Sequence, residues 1–413
     1  MIKINSLQFV SASVLAVAVG ASAVAEDWSD VFAWRDIRSD VASQFNEAGG
    51  ERTPAHFRAS AALDLALFSA ANAVEERYTP YFDDLPEASG DPDLAAHFAA
   101  AALLQRLYGS SADDAIEARL NAVSEGHSEA AVMAAHQIAD AVVDRVMIQA
   151  GATTGEVPPY RPFTTAGRWV PTELPYFRGG LNVQPWLMEA STDLRPDGPP
   201  ALDSQAWADN FNEVMTLGAR DSEIRTPEQS AEARFWVSKD WEPLVMQLAE
   251  RRELDMLDTA RVMALMSLAT SDAGLATGEA KDHFQFWRPL TAIRNADLDG
   301  RDDTEIEAGW MPLLNTPRHP EYPCAHCSYG AAVSAVLSAT FTLEDGETVD
   351  VYAEDAPDLV EAIADLDAFS LRMSMSRLYG GVHYRFSNED AEAIGRAAAD
   401  LALERFGQEV ESD

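Results

Sequence analysis

Pro320-Glu321-Tyr322-Pro323-Cys324-Ala325-His326-Cys327-Ser328 is the stretch around which the rest of the chain is organised. Two prolines stiffen the approach, and from Tyr329 to Phe341 the sequence turns alanine-rich and helical. His326 is therefore expected in the first turn of a helix, beside backbone N–H groups that lack an intrahelical acceptor. Such a turn favours an anion, and here it carries a titratable side chain. Upstream lies Lys281–Pro289 (KDHFQFWRP), and downstream Ser376–His383 (SRLYGGVH). Together, in this order, the three stretches point to oxyanion chemistry.

Lys281 and Arg288 are seven residues apart, nearly two turns of a helix, so a continuous helix puts both on one face. Pro289 argues that any such helix ends there. Arg as a fork and Lys as a point charge suit a tetrahedral oxyanion. Phe284, Phe286 and Trp287 argue for burial, and buried cations require an anion. Arg377 and His383 would face apart on a continuous helix, but Gly380-Gly381 permit a turn that brings them to one point. Of two imidazoles at such a site, one attacks or ligates while the other moves protons. His56, His97, His127 and His136 lack this context and read as structural or surface residues.

The chain has 413 residues, 47% of them hydrophobic, enough for a large core. Residues 1–25 read as a secretory signal: Lys3, an apolar run from Phe9 to Val19, then Ala23-Val24-Ala25 before Glu26. An exported protein, periplasmic or secreted, is expected, with no membrane span after cleavage. The formal charge of −38 becomes −39 when Lys3 leaves with the signal. That charge excludes nucleic acid and anionic membrane as partners and demands local positive charge at any anion site. The only lysines are Lys3, Lys239 and Lys281, so one of three lies inside KDHFQFWRP. Cys324 and Cys327 are the only cysteines. They form either a local disulfide or a thiol pair, and they lack the trailing His of a haem-attachment motif. A zinc site from His319, Cys324, His326 and Cys327 would lack ligand pairs from two separated segments.

In chain order, helices are expected over Trp28–Ser43, Pro54–Glu76, Leu94–Leu107, Ala112–Val123 and Ser128–Gln149, several of them alanine-rich. Residues 151–200 are rich in Pro, Gly and aromatics and read as an extended strap over the helices. Helices resume at Gln205–Leu217, Pro227–Val237, Pro243–Leu254 and Thr259–Ala273. Asn295–Glu307 resembles a calcium loop only in composition and reads as a solvated acidic loop. Leu343–Asp358 reads as an acidic connection and Leu359–Met373 as a helix. Ser387-Asn388-Glu389-Asp390, close to a capping box, is expected to start the last one. With no alternating strand pattern and no solenoid repeat, the fold class is all-α: one domain over 26–413, comprising N-terminal helices (26–150), strap (151–200) and an oxyanion-site bundle (201–413).

The ordered set K-x6-R-P, P-x-x-H and S-R-x5-H resembles the vanadium-dependent haloperoxidase and type 2 phosphatidic acid phosphatase superfamily. SDAGLATGEAKDHFQFWRPLTAIR is most similar to the haloperoxidase branch, as are RTPEQSAEARFW and the GRWVPTELP and QPW pieces of the strap. The resemblance covers the chain from about residue 150 onward. It implies a helical bundle of that type and a pocket where Lys281, Arg288, Cys324, His326, Arg377 and His383 converge. By this resemblance Lys281, Arg288 and Arg377 hold the non-bridging oxygens of vanadate or phosphate. His383 binds vanadium in the haloperoxidases or attacks phosphorus in the phosphatases, and His326 is the acid–base group. Cys324 stands where a hydroxyl donor, usually Ser, is found, and Ala325 where Gly offers its N–H. Ser387 replaces the usual Asp after the second His; it can cap a helix but cannot orient an imidazole as a carboxylate does. Gly278 and His319 fall where the halide surroundings vary.

The activity implied first is oxidation of halide by hydrogen peroxide on bound vanadate, with a small organic acceptor. Hydrolysis of a phosphate ester through a phospho-histidine at His383 is the alternative, needing no vanadate. A non-catalytic oxyanion-binding or thiol redox protein is the third.

Overall fold

The computed structural model describes residues 28–155, 161, 163–171, 182–237, 239–353 and 359–410. The expected signal and parts of the strap lie outside the described residues. Six helices come before the strap: α1 (Trp28–Glu47), α2 (Pro54–Phe57), α3 (Ala59–Glu75), α4 (Pro92–Tyr108), α5 (Asp113–Ser124) and α6 (Glu129–Gly151). Eight follow it: α7 (Gln205–Leu217), α8 (Pro227–Phe235), α9 (Glu242–Arg251), α10 (Met256–Phe284), α11 (Pro289–Arg294), α12 (Ala325–Thr340), α13 (Phe369–Tyr379) and α14 (Arg385–Arg405). The all-α helical bundle expected from sequence is the fold observed, and none of the described helices is long and apolar enough to cross a membrane.

Local chemistry sets many of these boundaries. The side chains of Asp91, Ser128, Ser204 and Asp255 each accept a backbone N–H three residues on, at the starts of α4, α6, α7 and α10. Thr226 and Gln229 close a reciprocal capping box at α8. Between the caps, α3 and α10 are apolar on nearly every face and run through the interior. The 29 residues of α10 span about 44 Å, packing against α3 on one side and α12 and α14 on the other. One apolar core joins the N-terminal helices to α10, α12 and α14. Small residues let α12 and α14 approach closely: a Cβ on Gly395 would lie 2.2 Å from the Ser328 carbonyl oxygen.

Three readings from sequence are corrected. A small antiparallel sheet is present, β1 (Lys239–Asp240), β2 (Val349–Ala353) and β3 (Val360–Ile363), in that order, with Lys239 opposite Ala353 and Val351 opposite Glu361. It replaces the expected connection and the start of the expected helix over Leu359–Met373. Val349, Val351 and Ala353 do alternate inward, but five residues are too few for the period to stand out among acidic neighbours. The last helix begins at Arg385, with Tyr384 as its N-cap, so Ser387 lies inside its first turn. Asn295–Glu307 is not simply solvated. Asp299 is buried and accepts from Trp207 Nε1 and Thr304 Oγ1, both at 2.8 Å.

The strap is tied to the helices that carry the candidate site. Buried Asp272 on α10 accepts three backbone N–H bonds, from Trp186 (2.9 Å), Leu187 (2.7 Å) and Met188 (3.2 Å). The Arg58 guanidinium lies 3.8 Å over the Trp186 ring. Farther along, Trp169 N–H donates to the Gln285 carbonyl (2.6 Å) and Trp287 N–H to that of Gly167 (3.1 Å). The described strap thus pairs edge to edge with the segment between Lys281 and Arg288.

Candidate active site

Lys281 ends up in the last turn of α10, and the helix stops at Phe284 because Gln285 takes a left-handed conformation (φ 48°). Arg288 is the N-cap of α11 and lies outside α10. The two cations therefore do not share a helix face; a turn delivers them to the site from two elements.

Lys281 is 4% exposed. Its Nζ donates to the carbonyls of Pro320 (3.0 Å), Glu321 (2.7 Å) and Pro323. Three donors are all an ammonium has. Lys281 thus holds the 320–323 segment in place and acts on its surroundings through charge. Burial, reinforced by the Arg288 charge, pushes its pKa well below the ordinary lysine range.

Arg288, 1% exposed, joins two segments. Nη1 donates to the Val382 carbonyl (2.7 Å) and to His383 Nε2 (3.0 Å). Nη2 donates to His319 Nδ1 (3.1 Å), and Nε to the His319 carbonyl (3.1 Å). A guanidinium cannot accept, so His383 Nε2 receives this bond on its lone pair and the ring proton sits on Nδ1. Nδ1 in turn donates to Glu321 Oε1 at 2.8 Å, between side chains that are 1% and 0% exposed. Oε1 also accepts the Tyr384 N–H (3.2 Å). Burial first, then the charges of Arg288, Lys281 and Arg377, drives the His383 pKa well down, so the imidazole is neutral. Burial raises Glu321 to about 7 against the opposing pull of Arg288 and Lys281. His319 is pushed down to about 2, by burial and then by Lys281 and Arg288.

Arg377 comes from the last turn of α13 and is 3% exposed. Its Nε and Nη1 are buried with no hydrogen-bond partner, and burial followed by Arg288 lowers its pKa to about 9. The expected glycine turn is present. Gly381 has φ 72°, and a Cβ there would lie 2.3 Å from the Gly218 carbonyl oxygen after α7. That reversal lets Arg377 and His383 face the same buried space.

Cys324 is the N-cap of α12, and its N–H donates to the Ser387 carbonyl (3.2 Å). It is bonded to Cys327 in a disulfide. The sulfur accepts the Cys327 N–H (3.3 Å) and has no proton to donate. With both sulfurs joined, the zinc reading loses its thiolates, and no cluster of metal-ligating side chains occurs among the described residues. His326 lies in the first turn of α12 as expected, half-buried, with Nε2 3.4 Å from the Val237 carbonyl oxygen. Ala325 opens the same turn.

Lys281, Arg288, Arg377 and His383 are thus neighbours in one buried cluster, with His319 beside them. Cys324 joins through Ser387, whose Oγ lies 3.4 Å from His383 Nδ1. Glu321 was the residue missed. Ser387 stands four residues after His383, where the resemblance implies an acid, and the carboxylate arrives instead from the proline stretch. The available signal was an acid between two prolines in a run otherwise bound for the interior. The donor set fits vanadate or phosphate: Lys281, Arg288 and Arg377 are all buried, and two Arg377 nitrogens lack acceptors.

Residues 261–412 match the model of the VCPO second helical-bundle domain. Vanadium chloroperoxidase of Curvularia inaequalis is 27% identical over 197 residues, 39% of this chain. The chain spans 31% of the length of that relative. A crystal structure described as the first bacterial vanadium-dependent iodoperoxidase superposes with a TM-score of 0.74 at 22% identity, covering 92% of this chain and 97% of the other. An apo-type bacterial vanadium-dependent chloroperoxidase gives a TM-score of 0.67 at 17% identity, covering 86% and 94%. Residues 261–412 are thus similar to the VCPO second helical-bundle domain, and the chain has the helical-bundle fold of these bacterial vanadium-dependent haloperoxidase structures.

Proposed function

We propose that the protein oxidises halide with hydrogen peroxide on a vanadate held by this cluster. The observation that carries the reading is Arg377, a guanidinium buried to 3% exposure with two nitrogens unpartnered, beside two further buried cations. In a medium this dry such charge is costly unless an anion complements it.

Arg377 would donate from Nε and Nη1 to oxyanion oxygens, and Arg288 would add its fork. Lys281 would contribute charge, and the Ala325 N–H a backbone donor at the start of α12. His383 would offer the Nε2 lone pair as ligand, with Arg288 transferring its Nη1 bond from that nitrogen to an oxygen. His326 would move protons to and from peroxide. Vanadate, when bound, supplies the Lewis-acidic centre that activates peroxide toward halide.

The same Nε2 lone pair is also what a histidine nucleophile needs, and this observation keeps phosphate-ester hydrolysis as the second reading. A paired assay on purified protein separates them. Bromide and iodide oxidation with vanadate and peroxide supports the first, and ester hydrolysis without vanadate, blocked by added vanadate, supports the second. Absence of both activities, with vanadate binding retained, would leave an oxyanion-binding protein.

Export, to the periplasm or beyond the cell, is part of the same proposal, motivated by residues 1–25 and the acidic composition.

A further inference from the structure

We propose that Glu321 is the positioning carboxylate of this site: it fixes His383 as the Nδ1–H tautomer and so presents the Nε2 lone pair to the oxyanion. The inference deepens the vanadate reading and rests on it for the identity of the ligand.

The geometry is over-determined. Glu321 is 0% exposed, and its own N–H donates to the Phe286 carbonyl at 3.0 Å. Its carbonyl accepts from Lys281 Nζ at 2.7 Å. Backbone pinned on both sides leaves the side chain little freedom. Oε1 then takes two donors, His383 Nδ1 (2.8 Å) and Tyr384 N–H (3.2 Å), so it grips both the imidazole and the backbone just after it. On the opposite edge of the ring, Arg288 Nη1 donates to Nε2 (3.0 Å). A carboxylate and a guanidinium on opposite nitrogens specify one tautomer, because each ring nitrogen has only one role open to it.

Ser387 explains why this matters in this chain. It occupies the first turn of α14, is 0% exposed, and holds Oγ 3.4 Å from His383 Nδ1. A hydroxyl can both donate and accept, so it cannot select a tautomer. A carboxylate at 387 would reach the same nitrogen. Two carboxylates there would crowd one proton, so Glu321 and a small hydroxyl at 387 form a matched pair.

The test uses the full chain as purified, with orthovanadate as the calorimetric probe and orthophosphate as a second. Wild type is compared with Glu321→Gln and with Glu321→Gln/Ser387→Asp, and thermal melts confirm folding. Glu321→Gln should weaken vanadate affinity by about 10–100-fold, the usual cost of losing an outer partner of a ligating histidine. The double variant, with the carboxylate restored at 387, should regain most of that loss. Nitrogen-15 spectra of histidine-labelled wild type should show a protonated Nδ1 and a bare Nε2 for His383, without vanadate. Equal affinity in Glu321→Gln and wild type overturns the proposal. So does a double variant that folds and binds no better than the single one, or a wild-type spectrum with the proton on Nε2. If wild type binds no vanadate at all, the functional reading fails, while the tautomer spectrum still decides the role of Glu321.

Discussion

Arg288 donates from Nη1 to His383 Nε2 across 3.0 Å, a cation hydrogen-bonded to the lone pair of a neutral imidazole. Each therefore holds the other in place for an anion that needs both. His383→Ala should remove the vanadium ligand and the phosphoryl acceptor alike. We expect vanadate binding and any phosphatase turnover to vanish together, measured by calorimetry and by ester hydrolysis on one preparation. Vanadate affinity equal to wild type in that variant would take His383 out of the site.

Arg377 is expected to oppose folding while enabling binding. Its Nε and Nη1 are buried without partners, and an unsatisfied buried donor costs about 1–3 kcal/mol, more when charged. Arg377→Met should therefore melt at or above the wild-type temperature without ligand and lose vanadate binding. Wild type should gain about 2.7 kcal/mol at vanadate a hundredfold above its dissociation constant. A variant both less stable and still responsive to vanadate would contradict this assignment.

Much of this arrangement was legible in sequence, and the parts that were not share a cause. Helices such as α6 and α7 were expected at Ser128–Gln149 and Gln205–Leu217, the first on its apolar spacing, and are observed at Glu129–Gly151 and Gln205–Leu217. The cations were legible because two stretches carried them in telling company, Lys281 and Arg288 among aromatics and Arg377 just before Gly380-Gly381. What escaped was how they are delivered. Helix spacing put Lys281 and Arg288 on one face, whereas Gln285 adopts a left-handed conformation that non-glycine residues take only when tertiary structure demands it. Here the demand comes from strap pairing, with Trp169 N–H on the Gln285 carbonyl at 2.6 Å. The Glu321–His383 contact spans 62 residues and depends on where α14 docks, which no local pattern encodes. Local rules miss β2 and β3 for the same reason, since their identity lies in their pairing.

Asp272 should be the principal clamp of the strap. One buried carboxylate accepts the N–H groups of Trp186, Leu187 and Met188. Asp272→Ala leaves three donors without their acceptor, two of them buried, and is expected to destabilise by about 2–4 kcal/mol, several unsatisfied groups sharing one relaxing loop. Chemical denaturation measures the loss, and limited proteolysis should cut first between residues 182 and 190. A variant with wild-type stability would show that the clamp is incidental.

Gly381→Ala tests the turn that gathers Arg377 and His383. The position has φ 72°, and an added Cβ would lie 2.3 Å from the Gly218 carbonyl oxygen. Both the backbone conformation and the space are closed to a side chain. Vanadate affinity should fall at least tenfold, and stability by more than the roughly 1 kcal/mol of a left-handed alanine alone. An ordinary alanine at Gly309, which meets nothing within 4 Å, is the control.

The Cys324–Cys327 disulfide should protect the site from the peroxide that the proposed activity consumes. A lone thiol at position 324 would cap α12 near three cations, conditions that favour thiolate and hence oxidation. From sequence, Cys324→Ser is expected to raise tolerance to peroxide. With the disulfide formed, that advantage is confined to the reduced protein, because bonded sulfurs offer no thiolate to attack. In reduced wild type, peroxide converts one thiolate to a sulfenic acid, and the neighbouring thiol displaces water to restore the disulfide. Cys327→Ala removes that second thiol. Its Cys324 should proceed to sulfinic and sulfonic acid, placing a fixed anion at the N-cap of α12 beside the proposed vanadate site, and vanadate binding should be lost after peroxide treatment. Cys324→Ser/Cys327→Ala should keep its binding through the same treatment. Mass spectrometry of the peptide containing residues 324 and 327, with calorimetry before and after peroxide, checks each step. If Cys327→Ala stays unmodified and binds vanadate as before, position 324 is shielded by packing and the disulfide has no protective role.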